Sequence, residues 1–184
     1  MPDSPRPWTR LASEPLLDTP WLTLRRDHVR LPTGVDLDAF YVAEYPDFAV
    51  VLALTGGGEA VLVEQYRHGI ERVTLELPAG AVDGGEAPET AARRELLEET
   101  GYQTERWTSL GRLAVEPSRH TNWAHVFVAT GAERVAEPAL EPSEDLVVRT
   151  LPARELVAAV EAGRIVHGVH VAVVYRALAE GLLE

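Results

Sequence analysis

The chain has no cysteine. That excludes disulfides, thiolate metal sites and a cysteine nucleophile, and it suits a reducing compartment without requiring one. No uninterrupted apolar run approaches the roughly 18–20 residues that a membrane helix needs. The opening MPDSPRPW lacks the apolar core of a secretory signal. Positive charge is scarce: 17 Lys and Arg stand against 29 Asp and Glu, a formal charge of -12. Such a chain lacks the basic footprint of a nucleic-acid binder. It can still take a phosphorylated small molecule where a cation mediates the contact. Internal repeats and low-complexity tracts are also missing. A cytoplasmic protein that engages neither membrane nor nucleic acid is expected.

What is present is enough for a folded domain. The 184 residues, 46% of them apolar, suit one domain with a sizeable core and a small extension. The first 18 residues, rich in proline and polar side chains, read as a loose lead-in. Alternation marks strands over 21–31 and 35–45, joined by a turn at 32–34. FAVVLAL (48–54) reads as a buried strand, and VLVEQYR (61–67) and VTLELPAG (73–80) read as two more. Good helix formers fill 88–100, with Pro88 at the first position and Gly101 just past the end. Strands follow at 106–115, 123–130 and 145–151, then helices at 153–163 and 170–183. The sum is a mixed sheet with interspersed helices, an α/β arrangement.

One stretch, GAVDGGEAPETAARRELLEETGY (80–102), places Glu95, Glu98 and Glu99 close together. On a helix these three share a sector roughly 100° wide. Like charges at that spacing cost a helix a few tenths of a kcal/mol. A bound divalent cation reverses the sign, and hard carboxylate oxygens suit Mg²⁺ or Mn²⁺ alongside substrate phosphates. Gly80, Gly84 and Gly85 let the preceding loop turn sharply towards a ligand. A solvated acidic face would need none of this joint spacing.

The stretch resembles the Nudix box, G-x5-E-x7-R-E-U-x-E-E-x-G-U, with U a bulky apolar residue. Gly80, Glu86, Arg94, Glu95, Leu96, Glu98, Glu99 and Gly101 all fit, and Tyr102 stands where an aliphatic residue is commoner. The resemblance implies a Nudix-type α/β/α sandwich with a mixed sheet. It implies a hydrolase that uses Mg²⁺, with Mn²⁺ as the alternative, on a diphosphate. Glu95 and Glu99 would be the principal metal ligands, Glu98 a ligand or water-orienting group, and the Ala79 carbonyl a further ligand. Glu86 and Arg94 would pair to hold the loop on the helix. The general base is open between Glu144, Glu141 and Glu98, and Glu144 in LEPSEDLVV (140–148) fits best.

VEQYRHG (63–69) followed by ELPAG (76–80) is similar to the ADP-ribose pyrophosphatase branch of that family. By that likeness Arg67 would reach a phosphate and Glu76 would orient a substrate group or support the metal site. Pro117, 16 residues after Gly101, stands where that branch carries a proline. The implied reaction turns ADP-ribose into AMP and ribose 5-phosphate. GDP-mannose or another nucleoside diphosphate sugar is the competing substrate, because SRHTNWAH (118–125) departs from the better-known ADP-ribose enzymes. A non-catalytic Nudix-fold sensor is the reading from another class. Residues 1–45 are expected to be an N-terminal antiparallel strand extension that makes a homodimer, and 46–184 the hydrolase domain. Trp8, Trp21, Tyr41 and Tyr45 are expected to pack, with base stacking as the alternative. His120, His125, His167 and His170 lack metal-site spacing and are expected to pack or lie on the surface.

Overall fold

β-branched and apolar tracts dominate the chain before the acidic helix, and in the computed structural model they form strands. The structure describes residues 4–183. Residues 1–3 and 184, which the expected bounds of the lead-in and of both domains include, lie outside the described residues. Contacts gather the chain into two compact units. One runs up to Pro46 and takes in Ala114–Asn122; the other holds Asp47–Leu113 and the chain from Trp123 onward.

The first unit is an antiparallel sheet of β1 (Thr9–Asp18), β2 (Thr23–Arg30) and β3 (Asp36–Glu44), in that order. β1 corrects the expectation of a loose lead-in. It pairs with β2 from Thr9 opposite Arg30 to Asp18 opposite Thr23, with irregularities between Arg10 and Ala12 and between Pro15 and Leu17. An edge strand tolerates a proline at such a break. All ten of its residues are exposed, so no buried face imposed a hydrophobic pattern on the sequence. Polar links bind it instead: Ser13 donates to Asp27 at 2.6 Å, and Arg26 pairs with Glu14. Trp8 packs edge-on to Phe40, with ring centres 5.6 Å apart. Segment 114–122 joins this unit through Ala43, whose N–H donates to the Arg119 carbonyl at 2.9 Å. His120 lies edge-on to Tyr45 at 5.1 Å.

The second unit carries the mixed sheet. Its strands are β4 (Phe48–Thr55), β5 (Glu59–Arg67), β6 (Arg72–Glu76), β7 (Ala79–Ala81), β8 (Tyr102–Gln103), β9 (Arg106–Ala114), β10 (Trp123–Arg134) and β11 (Leu146–Pro152). The main order is β11-β5-β4-β10-β8, and β6, β7 and β9 pair β5, β4 and β10. β4 and β10 run parallel; the other pairs of known register are antiparallel. Helix α1 (Pro88–Thr100) covers one face, where Ala91, Ala92 and Leu96 pack on Ala49, Val51, Ala53 and Phe127. Helices α2 (Leu156–Glu161) and α3 (Gly168–Ala179) pack on each other, and α3 packs on β4. No helix among the described residues is long and apolar enough to cross a membrane.

Four expected elements are redrawn. The strand expected over 73–80 is two strands, because the chain leaves β5 for β4 at Leu77 and Pro78. The helix expected over 153–163 opens with a single 3₁₀ turn at Ala153–Glu155, and the final helix ends at Ala179. β10 runs past its expected end through a bulge at Gly131, where φ is 64° and a side chain would collide with Arg106. His125, expected to pack or lie on the surface, has Nε2 2.9 Å from Asp47.

Candidate active site and metal centre

α1 starts where Pro88 presets the first turn and stops where Gly101 takes a left-handed φ of 75°. At Gly101 a side chain would strike the Ala136 carbonyl, so glycine is required twice over. The buried stripe of the helix is Ala91, Ala92, Glu95, Leu96, Glu99 and Thr100. Two glutamates therefore share the face that alanine and leucine use to meet the sheet.

Glu95 and Glu99 are 7% and 5% exposed. The Ala79 N–H donates to Glu99 at 3.0 Å. Gly80, next in β7, lies against the Glu95 carboxylate so closely that any Cβ would overlap it. This gives the first glycine of the box a physical reason. Only a bare backbone leaves room for a carboxylate between helix and strand.

A third carboxylate arrives from far along the chain. The Val135 and Ala136 N–H groups donate to the Gly101 carbonyl, and Ala139 N–H donates to the Glu98 carbonyl at 2.8 Å. These bonds tie the 135–139 strand exit to the end of α1. The acidic loop then turns at Pro142 and Ser143: Glu144 N–H donates to the Glu141 carbonyl at 2.9 Å, and Glu141 N–H donates to the Glu144 carboxylate at 2.8 Å. Oxygens of Glu95, Glu99 and Glu144 all fall within 4.8 Å of one another.

The electrostatics of the trio are unfavourable without a counter-charge. Burial, then the charges of Glu95 and Glu144, push Glu99 up to about 8, against the Ala79 N–H and Arg67. Burial also raises Glu95, with Glu98 and Glu144 adding to it and Arg94 opposing. Three hard oxygen donors at this spacing, crowded enough to resist ionising together, fit a divalent cation of the Mg²⁺ or Mn²⁺ kind.

Other expected residues lie around this trio. Glu98, with its side chain 45% exposed, stands outside that 4.8 Å group but shares Arg94 with Glu95, receiving it at 3.2 Å. Arg94 is the hub of the loop. It reaches Glu86 at 3.1 Å, Glu95 at 2.7 Å and the Ala81 carbonyl at 3.0 Å, and these carboxylates raise its own pKa. Glu86 also receives the Asp83 N–H at 3.3 Å, so the loop closes on itself. Glu141 shapes the turn that carries Glu144.

Arg67 and Glu76 form a separate pair. Arg67 holds Glu76 with two parallel bonds of 2.9 and 2.6 Å, and the Thr74 hydroxyl adds a third at 2.6 Å. Burial opposes the charge on Glu76, but these bonds outweigh it and hold the carboxyl down to about 2. Arg67 remains 44% exposed on its side chain. Thr74 and His170 were not singled out as site residues from the sequence. Thr74 sits two residues before Glu76 on a strand, a spacing that puts both on one face and was available as a signal. His170 lies 93 residues from its partner Leu77, and no local pattern announces it.

The chain matches the NUDIX domain over residues 45–169 and the nucleoside diphosphate sugar hydrolase N-terminal domain over residues 8–43. It is 36% identical over 164 residues to an ADP-ribose pyrophosphatase of Mycobacterium tuberculosis, covering 88% of this chain and 79% of that one. It is 37% identical over 131 residues to a methanol dehydrogenase activator of Bacillus methanolicus, covering 70% of each. The crystal structure of an ADP compounds hydrolase superposes with a TM-score of 0.84 at 22% identity, over 97% of this chain and 98% of that one, a likeness of fold. The box at 80–102, the glycine under Glu95 and the domain match together place the chain in the Nudix family of hydrolases.

Proposed function

We propose that this chain hydrolyses the diphosphate of ADP-ribose or a related nucleoside diphosphate sugar, with Mg²⁺ as its cation. From ADP-ribose the products are AMP and ribose 5-phosphate. The observation that carries the reading is the convergence of Glu95, Glu99 and Glu144 from a helix and a distant loop. Relatives sharpen the substrate: one is an ADP-ribose pyrophosphatase, and the N-terminal match is to nucleoside diphosphate sugar hydrolases.

Glu95 and Glu99 would hold the cation, with the Ala79 carbonyl as a further donor, and Glu144 would stand next to it. When bound, Mg²⁺ neutralises the diphosphate oxygens and acidifies water. The remaining work belongs to the chain. Water adds to one phosphorus, the bridging P–O bond breaks, and the water's proton leaves to a carboxylate. Glu144 is assigned that proton. Of the candidates Glu98, Glu141 and Glu144, it is the one whose oxygen joins the trio. Arg94 and Glu86 keep the loop folded over the helix. Arg67 turns its exposed edge to a phosphate while Glu76 keeps it aligned, a use for which the fork of a guanidinium is suited.

A homodimer belongs to the same reading. Its support is the exposed apolar side chains of the first unit, including Trp8, Leu11, Leu16, Leu17 and Trp21, the last 81% exposed. A cytoplasmic location also belongs to it, in keeping with a chain that has no cysteine to oxidise. Light scattering reads the mass of the assembly directly.

The activity is tested by incubating the protein with Mg²⁺ and ADP-ribose, GDP-mannose, UDP-glucose, diadenosine polyphosphates or NADH, and measuring released phosphomonoester. Preference for ADP-ribose is the expected result. Preference for another nucleotide sugar moves the specificity but keeps the chemistry. Tight ADP-ribose binding with no product at any Mg²⁺ concentration would mark a sensor and end the hydrolase reading.

A further inference from the structure

Among the described residues β6 pairs with β5 along one edge, so N–H groups on its other edge and just past its end need acceptors from elsewhere. The C-terminal segment supplies them. Leu75 N–H donates to the Arg164 carbonyl at 3.0 Å. Two residues on, Leu77 N–H donates to Nδ1 of His170 at 3.3 Å. Leu75 and Leu77 are 4% and 0% exposed, so water cannot take over either role. At Leu77 the acceptor is therefore a side chain where a strand neighbour would ordinarily provide a carbonyl.

Leu77 stands where the chain leaves β5 for β4. The next residue, Pro78, has no N–H, and its carbonyl accepts Val51 N–H at 2.9 Å. The residue after that, Ala79, donates to Glu99 at 3.0 Å. Three consecutive residues are thus pinned at three points. The first pin is an imidazole and the last is a carboxylate of the proposed metal centre.

We infer that His170 is a positioning residue for that centre: as an uncharged imidazole accepting at Nδ1, it fixes Leu77 and, through Leu77–Ala79, sets Glu99 in place to receive a cation. This rests on the cation-binding reading given above. An imidazole accepts at Nδ1 only when its proton sits on Nε2. The Leu77 N–H selects that tautomer, and the surroundings keep the ring uncharged. His170 is 1% exposed and stacks on His167 with ring centres 4.3 Å apart. Burial, then His167, push its pKa down to about 3; Arg67 acts in the same sense, and Glu76 opposes from 3.8 Å. The Arg67–Glu76 pair beside it is already complete, so Glu76 has no call on a second cation.

The test compares His170→Leu, which cannot accept a hydrogen bond, with His170→Asn, whose amide oxygen can stand near the place of Nδ1. Mn²⁺ binding is measured by electron paramagnetic resonance, with near-ultraviolet circular dichroism to verify folding. His170→Leu is expected to weaken Mn²⁺ by about tenfold or more and to lower kcat more than it raises KM for ADP-ribose. His170→Asn is expected to restore most of both. A folded His170→Leu with wild-type Mn²⁺ affinity overturns the inference and leaves the metal centre standing. A wild-type protein that binds no Mn²⁺ overturns the metal centre, and this inference with it. Should neither variant fold, nitrogen NMR of the wild type decides. The expected result is an Nε2–H tautomer near neutral pH, with the Leu77 and Ala79 amides and the His170 Nδ1 all shifting on Mg²⁺ addition. A protonated ring, an Nδ1–H tautomer or an unresponsive Nδ1 overturns it.

Discussion

Glu76 and Glu99 lie in the same unit, and each is almost wholly buried, at 1% and 5% exposure. Their acidities stand at opposite ends of the carboxylate range, about 2 for Glu76 and about 8 for Glu99. Burial pushes both upward. The difference comes from the partners each was given. Glu76 has a guanidinium in bidentate contact and a threonine hydroxyl, so its charge is settled within the protein. Glu99 has one backbone N–H and two further carboxylates, so its charge is left for something from outside. In the proposed reading, the first arrangement would orient and the second would receive a cation.

The contrast breaks most visibly at Glu99. Glu99→Gln should lower kcat at saturating Mg²⁺ by about 10²–10³-fold, as expected for losing several kcal/mol of charge stabilisation. The same substitution should raise the thermal midpoint of the metal-free protein above about pH 8, because a neutral isostere ends the crowding of charges. A fall in that midpoint would show that Glu99 is satisfied without a cation.

Arg67→Met attacks the other side of the comparison. It strands the Glu76 charge and should cost about 2–3 kcal/mol near neutral pH, below a fully buried pair because Arg67 is half exposed. In the wild type Glu76 is depressed below its ordinary value of 4.5, so its contribution is present above that pH and fades as pH falls towards about 2. Without Arg67, burial lifts the carboxyl instead and the sign reverses. Urea unfolding should then show a smaller loss near pH 5 than near pH 7.5; equal losses would refute the pairing as the cause.

Glu99 sharpens the contrast through pH alone. Its folded value of about 8 exceeds the ordinary 4.5, so metal-free stability from this group is full below about 4.5 and is lost as pH rises through about 8. A cation must displace that proton. Mg²⁺ should therefore raise the melting temperature more near pH 8.5 than near pH 6, and a scan of both conditions measures it. The smallest effect is expected at Glu98. Glu98→Gln removes a half-exposed partner of Arg94, so stability should stay within about 0.5 kcal/mol and kcat within about tenfold. A loss as large as that of Glu99→Gln would move Glu98 into the metal centre.

Much of this was legible along the chain. Helix α1 has the bounds that Pro88 and Gly101 announce, because caps are local chemistry. Helix spacing grouped Glu95, Glu98 and Glu99, and the resemblance to the box singled out Glu95 and Glu99 as principal ligands. β1 was not legible: an edge strand exposed along its length carries no alternation to read. The division of 73–80 into two strands was hidden too, because which neighbour a strand pairs with is settled by distant residues.

The sequence by itself determined the acidic helix, its glycine punctuation, the absence of sulfur chemistry and the family to which the pattern belongs. Those features depend on residues a few positions apart, where spacing and geometry are the same thing. Only the tertiary structure decided that Glu144 joins Glu95 and Glu99, and that Arg67 is held by Glu76. It alone decided that His170 meets the amide of Leu77, 93 residues earlier. Contacts of that kind follow from how the sheet packs and pairs, and packing brings together residues whose distance along the chain carries no record of it.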